Sequence, residues 1–142
     1  MNKVSVKGVL VGAVVDVVSS GIVGIPLVLY VITHTGITDE SALISEIHSR
    51  MRADLALHSI QLILGTGCSI LGGYVAARIA KHDEVLNGAL SSFLCILLGI
   101  HSAALGGVES PVELAFLFPV TIGAAALGGF LARKSRRVAV SN

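Results

Sequence analysis

The residues of this chain that could do chemistry are few, and most of them sit in apolar surroundings. Asp16 interrupts GVLVGAVVDVVSSGIVG, residues 8–24, a run that is otherwise apolar or small. A carboxylate there can carry a proton, bind a cation, or accept hydrogen bonds that fasten helices together. Cys68 and Cys95 also fall within apolar stretches, where a thiol acts as a small packing group and reports nothing about an oxidising compartment. His34, His48, His58 and His101 fall toward a single end of these stretches. No H-x-x-x-H, H-E-x-x-H or paired-cysteine spacing accompanies them, so no metal site is expected.

Enzymatic signatures are missing from the sequence. It has no phosphate-binding glycine loop, no nucleophile elbow, no second acid within an apolar stretch to pair with Asp16, and no Gly-x-Gly-Asp of an intramembrane aspartyl peptidase. A non-enzymatic protein without a cofactor is therefore the expectation. The formal charge of +1 and the lack of basic residues interleaved with aromatics argue against a nucleic-acid partner.

The elements that must position Asp16 follow from composition. With 142 residues, 54% hydrophobic, 13% charged and a mean hydropathy of +0.86, the chain cannot cover a soluble globule with polar surface. Four apolar stretches, about 8–32, 57–79, 86–105 and 111–132, each approach the ~20 residues that cross a bilayer core. The expected fold is an all-α integral membrane protein, a single membrane domain over 1–142 with the spans arranged as two antiparallel hairpins. The first stretch is too long for the apolar core of a signal peptide and has no A-x-A-like exit, so it reads as an uncleaved span.

Orientation comes from Lys and Arg, which stay cytoplasmic in short loops. Lys3, Lys7, Arg78, Lys81, Arg133, Lys134, Arg136 and Arg137 fall on one side, and only Arg50 and Arg52 on the other. Both termini are thus expected in the cytoplasm of a multi-pass protein. Between the first two spans, Leu43, Ile44, Ile47, Met51 and Leu55 recur at helical spacing, which predicts an amphipathic helix over about 38–55 on the outer surface, capped by Thr38 and carrying a Glu46–Arg50 pair. The SPVE of residues 110–113 predicts a capping box opening the fourth span. Pro26 and Pro119 are expected to kink their helices.

Membrane helices meet through small residues, because lipid is as apolar as Leu. Gly8, Gly12, Asp16, Ser20 and Gly24 form a row at intervals of four, as do Gln61, Gly65, Ser69, Gly73 and Ala77; Asn87, Ser91, Cys95, Gly99 and Ala103; and Thr121, Ala125 and Gly129. Each step of four advances about 40° past a full turn, so the rows wind and favour crossing helices. Asp16 thus faces a neighbouring helix, and its depth, counted from Lys7, matches that of Ser69 counted from Arg78. Ser69 or Thr66 is expected to donate to the carboxyl, with Cys95 at similar depth.

The second and fourth spans close on related phrases, LGGYVAARIAK at 71–81 and LGGFLARKSRR at 127–137. Either an internal repeat or the shared need for an interfacial aromatic and basic residues accounts for the echo. GVLVGAVVD and LGGYVAARIAKHDEVLNGALSS resemble small four-helix bacterial membrane proteins, a resemblance over the first three spans that implies the architecture and the bacterial inner (plasma) membrane but no activity. An acid midway along the first span is similar to that of the small multidrug exporters, whose span-one carboxylate exchanges protons for cations. That likeness stops at Asp16: the acid is not Glu, and with no Trp and 4% aromatics the chain lacks a stacking surface for such substrates. Two functions are carried forward. One is a structural or partner-binding membrane subunit, embedded in lipid and self-associating or docked in a larger complex; the other is a proton- or cation-coupled transporter or channel that uses Asp16.

Overall fold

A computed structural model describes residues 4–35, 40–104 and 111–140. Among them helix is the only regular structure: α1 (Val6–Thr35), α2 (Glu40–Ala53), α3 (Leu55–Ala80), α4 (Glu84–Ser91), α5 (Phe93–Ala104) and α6 (Pro111–Val140). Among the described residues four helical stretches are long and apolar enough to cross a membrane: Val6–His34, Leu55–Ala80, Glu84–His101 and Leu114–Val138. The third combines α4 and α5 across Ser92.

Several boundaries move from their sequence positions for local reasons. Asp54, assigned by periodicity to the outer helix, instead caps α3: its Oδ1 accepts from the N–H of Ala56 at 2.9 Å and of Leu57 at 3.3 Å. Helix α2 therefore ends at Ala53, and Leu55 opens the next helix with most of its side chain exposed. In the third span the hydroxyls of Ser91 and Ser92 donate to the carbonyls of Gly88 and Ala89, both at 2.7 Å, and divert the chain for one residue. The fourth helix continues to Val140 instead of stopping near 132, since Ala, Lys and Arg are all good helix formers. Helices α1 and α6 run uninterrupted through Pro26 and Pro119. Thr38 and Ser110 lie outside the described residues, as do the side chains of Leu43, Ile44 and Glu113.

Helix α3 is the centre of the packing, touching α1, α2, α4 and α6, whereas α1 and α6 do not touch among the described residues. Gly8 lies against Ala76 and Ala80, Gly12 against Ala76 and Gly72, and Asp16 against Gly72, so α1 and α3 run antiparallel. Gly129 meets Glu84 and Val85 while Gly88 meets Ala125, which makes α4 and α6 antiparallel as well.

The interior is built from small and polar groups. Ala13, Ala76, Ala77, Ala125 and Ala132 are buried together with Asp16, Ser69, Asn87, Ser91 and Ser92, while Ile63 and Phe116 are 70% and 74% exposed. Such a distribution suits lipid outside and close backbone approach inside. The other cluster lies at the far end, where Ile47 and Met51 of α2 pack with Val31 and lean on Leu27, Val28, Ile32 and Leu57. Glu46 and Arg50 stay on the exposed side of α2 and pair at 2.9 Å.

Candidate functional site

The carboxylate of Asp16 is 1% exposed and is reached from two other elements. Ser69 Oγ of α3 donates to Oδ1 at 3.4 Å, and Cys95 Sγ of α5 donates to Oδ2 at 3.2 Å. Ser20, one turn along α1, donates to Oδ1 at 3.5 Å. The close approach depends on Gly72, where an added Cβ would sit 2.7 Å from Asp16 Cβ. All three donors are neutral. Their side chains can hold either form of the carboxyl, because hydroxyls also accept when the acid is protonated.

Thr66 is not part of this cluster. Its hydroxyl donates to the carbonyl of Leu62 in its own helix at 2.7 Å, the usual alternative for a threonine within a helix. Cys68 is buried nearby on α3, and both cysteines are free thiols. Among the described residues no three His, Cys, Asp or Glu side chains are grouped to hold a metal ion.

The glycines named from the sequence divide into two sets. Gly8, Gly12, Gly73 and Gly129 have neighbouring backbone or alanine atoms where a Cβ would stand. Around Gly24 and Gly65 nothing lies within 4 Å, and at Gly99 the nearest atom is a Phe118 ring carbon at an ordinary 3.6 Å. Winding is the reason. A row that advances about 40° at each step leaves a crossing interface after two or three members, so its ends turn away from the partner.

Sequence reasoning took one glycine from each LGG phrase, and both matter. Gly72 faces α1 and Gly73 faces α6; Gly128 faces Ile70 and Tyr74 of α3, and Gly129 faces α4. Adjacent residues point about 100° apart, so a glycine pair serves two neighbours at once. The repeated phrase was the available signal. Asn87 was also overlooked as a site. It is fully buried, its Oδ1 accepts from Ser5 N–H at 2.7 Å, and its Nδ2 donates to the carbonyls of His82 at 2.9 Å and Asp83 at 3.1 Å. It thereby ties the start of α1 to the α3–α4 turn, where Lys81 and Asp83 hold left-handed backbone at φ 61° and 41°.

Away from Asp16, an apolar cleft of about 750 Å³ opens between α1 and α3, lined by Ile22, Pro26, Tyr30, Leu57, Ile60 and Leu64 among others. It does not reach the carboxylate. At the opposite end a pocket of about 310 Å³ lies among Glu84, Arg133, Arg136 and Arg137. Comparison of the chain with protein-family models, curated proteins and solved structures gives no match.

Proposed function

We propose that this protein is a non-enzymatic, multi-pass subunit of a bacterial inner (plasma) membrane, structural or partner-binding and self-associating, in which Asp16 is an internal fastening. In this reading the spans form two antiparallel hairpins, both termini are cytoplasmic, and α2 is an amphipathic helix on the outer surface. The observation that carries it is the enclosure of the carboxylate: it is shut from the surface and accepts from Ser69 of α3 and Cys95 of α5, a polar clasp between helices, besides Ser20 of its own helix.

The test is Asp16→Asn. An amide still accepts from the same hydroxyls, so the variant should insert, assemble and resist thermal unfolding in detergent within about 1 kcal/mol of the parent. Asp16→Leu, which removes the acceptor, should lower that stability, and an Asp16→Leu variant as stable as the parent would exclude this role.

A second reading, a proton- or cation-coupled transporter or channel, rests on one observation. Cys95 belongs to α5, beyond the break at Ser92, and among the described residues α5 packs more sparsely on its neighbours than α4 does. Movement of that half-helix would open a route to Asp16. Under this reading Asp16→Asn abolishes the flux that follows a pH jump in proteoliposomes while leaving insertion intact.

A further inference from the structure

We infer that the pocket at the cytoplasmic end of α6 binds the phosphate group of an anionic membrane lipid through Arg133 and Arg137. The inference rests on the helices spanning a bilayer and is independent of what Asp16 does.

The geometry begins with Arg136. Its Nη1 donates to the Lys81 carbonyl at 2.7 Å and to Glu84 Oε1 at 2.8 Å, which ties the end of α6 to the α3–α4 turn. Among the described residues Glu84 is the single acid lining the pocket, and Arg136 already engages it. Arg133 and Arg137 line the same pocket, stand four residues apart on one face of α6, and have no hydrogen bond or ion pair with any described residue. Three guanidinium groups around one carboxylate leave a net charge of +2 (3 − 1) on the pocket wall. A phosphate bears acceptor oxygens that match guanidinium donors two at a time. The volume of about 310 Å³ is ample for such a headgroup.

The neighbouring surface selects a lipid over a free anion. Phe130 lies one turn before Arg133 and two turns before Arg137 on the same face, with Leu127 one turn further back, and both are about half exposed. Acyl chains lying along that stripe would bring a headgroup to the two free arginines, at the depth where basic pockets between membrane helices hold anionic headgroups. Lys134, in the same turn, carries the same charge but does not line the pocket.

The experiment titrates phosphatidylglycerol into the full chain in detergent and follows the melting temperature, with phosphatidylcholine and inorganic phosphate as parallel arms. Phosphatidylglycerol alone should raise it. Arg133→Gln should raise the half-saturating lipid concentration about fivefold, and the double variant Arg133→Gln/Arg137→Gln about thirtyfold. Lys134→Gln should change it less than about twofold. Equal losses in Lys134→Gln and Arg133→Gln would reduce the effect to general surface charge and overturn the site. Protection by inorganic phosphate equal to that by lipid would overturn the lipid as its occupant. Co-flotation of each variant with phosphatidylcholine vesicles shows membrane insertion separately, so failure of the spanning premise is distinguishable from failure of the pocket.

Discussion

At the scale of single residues, the tolerance of each glycine is set by what faces it. At Gly73 a Cβ would collide with the carbonyl of Ala125, a backbone group that cannot rotate away. Gly73→Ala is therefore expected to destabilise by about 1–3 kcal/mol. Gly65→Ala meets nothing within 4 Å and should be neutral or stabilising by up to about 1 kcal/mol, since alanine is the better helix former. Thermal unfolding of both variants in one detergent compares them directly; equal effects would contradict the crossing geometry. The partners of Asp16 were partly legible for a simple reason. Depth from the nearest basic anchor is readable in sequence, and it matched Ser69 and Cys95 to the carboxylate. Which hydroxyl turns toward the acid depends on helix rotation, which no count of residues supplies, and Thr66 turned to Leu62.

At the scale of elements, short polar side chains decide where helices start, break and dock. Asp54 supplies two of the hydrogen bonds that the first turn of α3 would otherwise lack. Asp54→Ala is expected to cost about 1 kcal/mol in thermal unfolding, with Asp54→Ser recovering most of it. Asn87 joins two elements far apart in sequence, and Asn87→Ala removes the acceptor of the half-buried Ser5 N–H and the side-chain donor to the His82 carbonyl, so it should cost about 1–2 kcal/mol by the same measurement. Spans were legible because apolar length is a linear property of sequence. The division of the third span was not, since Ser91 and Ser92 also occur in unbroken helices and only their bonds to Gly88 and Ala89 reveal the diversion.

At the scale of the whole molecule, the proposed threading places Lys3, Lys7 and the α6 tail on one side of the membrane and α2 on the other. Single cysteines introduced at Ser49 and at Ser135, in a background with Cys68 and Cys95 replaced by Ala, should divide cleanly: an impermeant maleimide applied to intact cells should label the first and spare the second. Reversed labelling would overturn the orientation. The central place of α3 was not legible in the hairpin picture, because contact between α3 and α6 depends on Gly73 and Gly128 meeting across helices that are not consecutive.

The uneven packing also bears on how the protein meets bilayers of differing thickness. Where glycine and alanine bring backbones together, below Ser92, the helices have almost no freedom to tilt past one another. Beyond it α5 makes fewer contacts among the described residues, so hydrophobic mismatch is expected to be taken up by tilting of that segment. In the proposed membrane placement the close glycine and alanine contacts lie on one side of the acid and the more sparsely packed α5 on the other.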